Sequence, residues 1–135
     1  MPQADQRFRK HEHLRSPADF ARVYDRRCFA RADRLIVHAC PNHLTYSRVG
    51  FSVSRKVGIA VQRNRLRRLY REAFRLARAQ LPKGLDLVLI PRDDKEPSLP
   101  LIKETLVLLA AQLAKRLENA KEGETMKDEE GRISN

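Results

Sequence analysis

Residues 60–80 constrain the fold of this 135-residue chain most strongly, because they combine a core-forming stripe with a dense row of arginines. On a helical wheel, one arc is filled by apolar side chains: Leu66, Leu69, Tyr70, Ala73, Phe74 and Ala77. The neighbouring arc is filled by arginines: Arg63, Arg67, Arg68, Arg71, Arg75 and Arg78. Pro82 and Gly84 follow and are typical of a helix end. The pattern therefore predicts a long helix with one buried face and one cationic face.

Two strand patterns flank this helix. Residues 48–54 alternate, which turns Val49, Phe51 and Val53 to one face and leaves small and polar side chains on the other. Residues 86–90 are almost continuously apolar, as is typical of a strand that is buried on both faces. The order strand, helix, strand predicts a parallel pair of strands with one open, polar face beside the arginine helix.

The remaining elements are shorter or simpler. Ser16, Pro17 and Asp19 predict the start of a helix that runs to about residue 26, with Phe20 and Tyr24 on one face. Strands are predicted at residues 27–30 and 35–40, and a last helix from about residue 98 carries an apolar stripe to residue 117. The chain thus reads as one domain over residues 14–120, with a flexible arm at 1–13 and a disordered tail at 121–135.

The net charge of +11 comes from the middle of the chain. Residues 26–80 hold 14 basic and 2 acidic side chains, whereas residues 81–135 hold 9 and 11. Arginines that repeat every four residues repel one another on a helix, so a surface selected for stability alone would alternate the sign of its charges. Guanidinium groups match phosphate in shape and charge, and the segment therefore indicates nucleic-acid binding.

The residues favour RNA over DNA, because the basic helix belongs to a sheet-containing unit and not to a pair of crossing helices. Phe20 and Tyr24 lie one helical turn apart and allow two interpretations. They either fill the core or offer rings on which unpaired bases stack. Their spacing alone favours the core.

Protein-based catalysis is not indicated. Hydrolysis of a phosphodiester by protein side chains requires clustered carboxylates for a metal ion or for acid and base chemistry, and the basic region offers only Asp33 and Glu72. His11, Glu12 and His13 are the one metal-like group, and they lie in the predicted arm. We expect neither catalytic nor metal-binding residues in the protein itself.

The composition also bears on the location of the protein. No segment reaches the roughly 20 apolar residues of a membrane span, so no membrane partner is expected. The first residues lack the apolar stretch of a signal peptide, and Cys28 and Cys40 are the two cysteines. These features predict a cytoplasmic protein with reduced thiols.

One stretch resembles a known family. Residues 51–75 read FSVSRKVGIAVQRNRLRRLYREAFR and closely resemble the signature of the protein subunit of bacterial ribonuclease P, including its Arg-Asn-Arg core at residues 63–65. The segments DFARVY at 19–24, RVG at 48–50 and DLVLI at 86–90 fall in the order expected for that family. The resemblance covers about residues 14–117.

The resemblance implies both a fold and a function. The implied fold is α+β: a single-domain, ribosomal-protein-like α/β sandwich with about four strands in a mixed sheet, three helices and a left-handed strand-helix-strand crossover, against the usual right-handed rule. The implied function is to assist a catalytic RNA, the ribonuclease P RNA, in the endonucleolytic removal of 5′ leaders from precursor tRNA. Mg²⁺ is expected to act through that RNA, with none bound by the protein alone.

The resemblance also assigns residues to two surfaces. It implies that one set binds the catalytic RNA: Arg63, Asn64, Arg65, Arg67, Arg68 and Arg71. Arg55 and Lys56 are also expected to bind RNA, beside the leader cleft. A second set is expected to line the cleft for the single-stranded leader: Phe20, Tyr24, Arg48, Ser52 and Ser54. Two rival functions are a structural RNA-binding protein of the ribosome and a nuclease that needs no RNA partner, and the lack of carboxylates makes the nuclease the weaker of the two.

Overall fold

A computed structural model describes residues 9–32, 34–93, 95 and 97–134, with side chains described as far as residue 120. Three helices are present: α1 (Pro17–Asp25), α2 (Ala60–Ala77) and α3 (Leu99–Ser134). Four strands form one sheet: β1 (Phe29–Ala32), β2 (Leu35–Pro41), β3 (Arg48–Phe51) and β4 (Leu85–Pro91). The predicted α+β class, with a four-stranded sheet and three helices, is confirmed.

The sheet is mixed and has the strand order β1-β2-β4-β3. Strands β1 and β2 and strands β2 and β4 pair antiparallel, whereas β3 and β4 pair parallel with Val49 opposite Leu87. Helix α2 joins the two parallel strands, as the strand-helix-strand pattern predicted. The left hand of this crossover stays a prediction of the resemblance.

The sheet carries helices on both faces. The larger core lies between the sheet and helices α2 and α3, where Leu66 and Phe74 of α2 and Leu87 of β4 are fully buried. Helix α1 covers the opposite face and packs Val23 against Val88 and Cys40 in a second, smaller core. Strand β4 contributes to both cores, which explains its continuous apolar run.

The N-terminal segment differs from the prediction. Residues 9–13, which were expected in a flexible arm, pack against the domain through a single 3-10 turn at Lys10–Glu12. Glu12 is buried and accepts a hydrogen bond from Arg78, at the end of α2, at 2.5 Å. The amide of Leu14 donates to the carbonyl of Val49 at 2.8 Å, so this segment also pairs with β3. A long-range ion pair, invisible in a local pattern, thus orders part of the predicted arm.

The last helix also differs from the prediction. Its apolar stripe is buried as expected, at Ile102, Leu106, Leu109, Leu113 and Leu117. The backbone of α3 then continues to Ser134 through the segment for which disorder was predicted. Residues 121–134 are rich in Lys and Glu and contain no proline, so their intrinsic preferences allow the helical backbone to continue. Among the described residues, no helix is long and apolar enough to cross a membrane.

Candidate nucleic-acid interface

Helix α2 carries the arginine surface that the sequence predicted. Its inner face buries Leu66, Tyr70, Ala73, Phe74 and Ala77. The side away from the core exposes Asn64, Arg65, Arg68 and Arg71, with Arg63 and Arg67 half-buried at its borders. We call these six residues the arginine surface. Since the buried face fixes the rotation of the helix, the arginines are presented to solvent without any cost in core packing.

Ion pairing divides the arginines of α2 into two groups. Arg75 pairs with Glu72 one turn earlier, and hydrogen bonding to Arg75 lowers the pKa of Glu72. Arg78 pairs with the buried Glu12. Among the described side chains, no carboxylate forms an ion pair with Arg68 or Arg71. The positive field of α2 is therefore concentrated in its first four turns.

A neutral amide and a neutral imidazole border this surface. Asn64 accepts a hydrogen bond from the guanidinium of Arg67 at 2.9 Å, which fixes that side chain without cancelling its charge. Burial, together with the nearby charges of Arg15 and Arg71, lowers the pKa of His13. The neutral form of His13 is therefore favoured at neutral pH. Neither Asn64 nor neutral His13 adds to or cancels the positive charge of the arginines.

Arg55 and Lys56 extend the cationic region towards β3. They lie in a single 3-10 turn (Arg55–Val57) in which Val57 is buried and both basic residues are exposed. The hydroxyl of Ser54 accepts a hydrogen bond from the Lys56 amide at 3.1 Å and so caps the turn. Ser54 is exposed and has this structural role in the turn, whereas its role in leader binding stays a prediction.

Two aromatic rings are half-buried where helix α1 packs on the sheet, and we call the surface that they share the groove. Phe20 and Tyr24 pack on the smaller core with their ring centroids 6.5 Å apart. A β-carbon at Gly50 would lie 2.6 Å from Cζ of Phe20, so the ring sits directly on the strand backbone. The face of β3 that was expected to be open is therefore covered at Gly50, while Ser52 beyond it is half-buried.

The packing of Phe20 and Tyr24 agrees with the core interpretation, and their role in base stacking stays a prediction. Each ring contributes to the second core and also keeps part of its surface accessible. A half-buried ring is held in one orientation by its packing, which lowers the entropy lost when a base stacks on it. The groove is consequently able to offer fixed rings to unpaired bases.

Arg48 makes contacts that the sequence did not predict. It was expected to face a leader as an outward side chain, but it binds Asp86 of β4 with two hydrogen bonds, Nε to Oδ1 at 2.8 Å and a terminal nitrogen to Oδ2 at 2.6 Å. Asp86 also accepts hydrogen bonds from Arg22 of α1 and, at 2.9 Å, from Asn42. The Arg48 side chain remains 22% exposed, whereas Asp86 is fully buried. We call these four residues the Asp86 cluster.

The Asp86 cluster ties α1 to the sheet. Burial by itself raises the pKa of Asp86, but hydrogen bonds from Arg48, Asn42 and Arg22 outweigh it and hold that pKa below its usual value. The same bonds raise the pKa of both arginines. The carboxylate therefore stays charged and keeps two guanidinium groups in place at one end of the groove.

The sequence interpretation missed two aromatic neighbours of the groove. His38 of β2 lies edge-on to Tyr24 with centroids 5.0 Å apart, and Phe29 of β1 lies 5.2 Å from His38. Burial lowers the pKa of His38, which favours its neutral ring at neutral pH. His38 is half-buried between the buried Val37 and Ala39 of β2, and only the strand register brings it next to Phe29.

The described residues do not suit Mg²⁺ as a bound cofactor. They contain no group of three or more His, Cys, Asp or Glu side chains arranged to hold a metal ion. Asp86 is the one fully buried carboxylate described, and its oxygens are occupied by Arg22, Arg48 and Asn42. His11, from the metal-like group of the sequence, instead contacts the ring of Tyr46 edge-on at 4.8 Å.

Together, the mixed sheet, the arginine surface and the aromatic groove define a small basic α+β protein. A profile of the ribonuclease P family matches residues 8–116. The chain is 40% identical over 85 residues to the ribonuclease P protein component of Thermotoga petrophila, an alignment that covers 63% of this chain and 73% of the relative. The chain therefore belongs to the ribonuclease P protein family, which confirms the resemblance.

Solved structures agree with this assignment. The ribonuclease P protein of Thermotoga maritima is similar with a TM-score of 0.67 and 34% identity, over 74% of this chain and 96% of that protein. The ribonuclease P protein of Staphylococcus aureus is similar with a TM-score of 0.65 and 29% identity, over 77% of this chain and 95% of that protein.

Proposed function

We propose that this chain is the RNA-binding protein subunit of a ribonuclease P ribonucleoprotein, in which it assists a catalytic RNA in removing the 5′ leader of precursor tRNA. Membership of the family supports a role in ribonuclease P. The observation that carries the RNA-binding role is the arginine surface, where Arg68 and Arg71 are exposed and have no carboxylate partner among the described side chains. We assign this activity to the cytoplasm, as the sequence predicts.

The arginine surface is proposed to bind the catalytic RNA. Its guanidinium groups form planar, charged donors for phosphate oxygens, and each contact releases counterions from the RNA. Arg55 and Lys56 extend the same field beyond the start of α2. Asn64 both orients Arg67 and retains donor capacity of its own. This surface would hold the protein in one orientation on the RNA, since phosphate contacts fix position more than sequence.

The groove between α1 and the sheet is proposed to hold the leader. Phe20 and Tyr24 offer ring surface for unpaired bases, and the hydroxyl groups of Ser52 and Ser54 lie along the continuation of β3. Arg48 contributes its partly exposed guanidinium, which Asp86 fixes in place. Stacking tolerates any base, so the groove should accept leaders of many sequences.

The protein is proposed to contribute binding and orientation, with no catalytic side chain of its own. Hydrolysis of the phosphodiester bond then depends on Mg²⁺ that acts through the RNA. The protein lowers the Mg²⁺ that the reaction requires, because its arginines replace part of the cation screening between RNA and substrate.

Cleavage of precursor tRNA by the catalytic RNA at low Mg²⁺ tests this function. Addition of the protein should restore cleavage, and the double variant Arg68→Ala, Arg71→Ala should restore much less. A matched control, Lys95→Ala with Lys103→Ala, removes the same charge outside the arginine surface and should act like the unmodified chain. Absence of stimulation by the unmodified chain would end the proposal. Cleavage by the protein alone would instead support the self-sufficient nuclease.

A further inference from the structure

Aromatic rings form a row that crosses the sheet from β3 to β1. Phe20 lies on Gly50 of β3, and its centroid is 6.5 Å from Tyr24. Tyr24 lies 5.0 Å from His38 of β2, which lies 5.2 Å from Phe29 of β1. The row therefore continues past the groove assigned to the leader and ends at the edge strand.

Phe29 is unusual for its size and position. It is 44% exposed, although a ring of this size is normally buried. Its backbone is held on both sides: it pairs with His38 across the sheet, and its carbonyl accepts a hydrogen bond from Arg116 of α3 at 2.5 Å. The ring is thus fixed in place and still open to solvent, as a stacking platform requires.

Three exposed arginines lie close to Phe29 along the chain. Arg31 lies two residues further along β1, on the same face as Phe29, and is exposed. Arg26 and Arg27 are exposed at the end of α1, and residues 26–32 contain no acidic side chain. Arg27 has a φ of 56°, a left-handed conformation in which helices usually place glycine. Arginine therefore occupies position 27 although the backbone conformation there favours glycine.

We propose that Phe29 and Arg31 form a distal subsite for the leader, beyond the nucleotides that stack on Phe20 and Tyr24. The proposal rests on the proposed function, because it extends the same groove. A base stacks on the exposed face of Phe29, and the guanidinium of Arg31 binds the adjoining phosphate, with Arg26 and Arg27 adding to the field.

The direction in which the single-stranded leader crosses the sheet follows from the topology. Phe20 lies over β3, the strand that leads towards the arginine helix. Since that helix is proposed to bind the catalytic RNA, the proposal has the leader enter the row from that side. The strand order β1-β2-β4-β3 places β1 at the opposite edge of the sheet. Phe29 therefore meets the nucleotides furthest from the cleavage site, and only long leaders reach it.

A series of precursor tRNAs whose leaders lengthen one nucleotide at a time tests the subsite. Affinity is measured for the complex of the catalytic RNA with the full chain. The unmodified chain should gain affinity in a second step at the longer leaders. Phe29→Ala should lower the affinity for precursors with long leaders by about fivefold or more, which corresponds to the lower limit for stacking of one base. It should leave the affinity for precursors with short leaders unchanged. Phe29→Tyr keeps an aromatic ring and should retain the second step.

Arg31→Ala provides an independent measurement. It should weaken the binding of precursors with long leaders. It should also reduce the slope of log affinity against log salt by about 0.7, the value for one phosphate contact with a single strand. Leu108→Ala and Lys103→Ala remove an exposed apolar residue and a cation on α3 and should leave the whole series unchanged.

The outcomes separate this proposal from the function on which it rests. Equal affinity of the unmodified chain for leader-bearing and leaderless tRNA refutes the proposed function itself. Preference for leaders without any effect of Phe29→Ala or Arg31→Ala refutes the distal subsite only. A loss that is the same for all leader lengths also overturns the subsite.

Discussion

Replacement of Asp86 by asparagine should destabilise the fold strongly, although it changes only one side-chain atom. The variant removes the negative charge that binds Arg22 and Arg48 and replaces one acceptor oxygen with a donor group. That donor would face a guanidinium, which cannot accept a hydrogen bond. One guanidinium is therefore left without its carboxylate partner, and the amide that replaces the carboxylate is fully buried.

The expected magnitude follows from the exposure of the three partners. Breaking a buried ion pair from one side typically costs about 3–5 kcal/mol. Asp86 is fully buried, but the side chains of Arg22 and Arg48 are 42% and 22% exposed, so water can replace part of what they lose. We expect a loss of about 3 kcal/mol, near the lower limit of that range, or roughly a 10 °C fall in melting temperature for a domain of this size.

Urea unfolding at neutral pH measures this loss, with Glu72→Gln as the matched control. That control also converts a carboxylate bound to an arginine into an amide, but at an exposed pair on the surface of α2. Surface pairs contribute little, so the control should leave the unfolding midpoint nearly unchanged. A cost of less than about 1 kcal/mol for Asp86→Asn would refute the argument that the buried carboxylate fixes α1 to the sheet.

The pH dependence provides the second half of this test. The folded state lowers the pKa of Asp86, so its contribution to stability is present above the unfolded value of about 3.9. It is lost as the pH falls through the folded value, where the carboxylate becomes protonated. The difference between the unmodified chain and Asp86→Asn should therefore be constant near neutral pH and shrink in acid. A difference that persists in acid would contradict this assignment.

Three further variants test the packing and the two surfaces. Gly50→Ala should displace the ring of Phe20, because its Cζ would lie 2.6 Å from the new methyl group. In a binding titration it should weaken the binding of leader-bearing tRNA and not of leaderless tRNA, and an unchanged preference would contradict this prediction. Phe74→Ala, at a fully buried position, should lower the free energy of unfolding by about 3–5 kcal/mol in urea, and a loss below 1 kcal/mol is incompatible with its burial. Arg68→Ala should reduce the salt slope of catalytic-RNA binding by about 0.7–0.9, whereas an unchanged slope would mean that Arg68 is merely solvated.

Local patterns predicted the elements that depend on local physics. The hydroxyl of Ser16 accepts a hydrogen bond from the amide of Ala18 at 3.1 Å, so the predicted start of α1 is confirmed. The apolar and arginine arcs of residues 60–80 predicted which face of α2 is buried. Both depend on spacing within one or two turns, which a sequence displays directly.

The contacts that local patterns did not predict arise where distant residues meet. Arg48 and Asp86 are 38 residues apart and become neighbours only through the register of β3 and β4, so their pairing left no local signal. Glu12 and Arg78 are 66 residues apart, and their ion pair orders a segment that is polar by composition. Phe29 and His38 likewise adjoin only through the pairing of β1 with β2.

The central claim is that this chain binds RNA through its arginine surface and holds the leader in the groove beside it. One measurement tests it most directly: the affinity of the catalytic RNA for leader-bearing and leaderless tRNA, each with and without this protein. The account predicts that the protein tightens binding of the leader-bearing tRNA and leaves the leaderless tRNA almost unchanged. Equal tightening of both, or of neither, would contradict it.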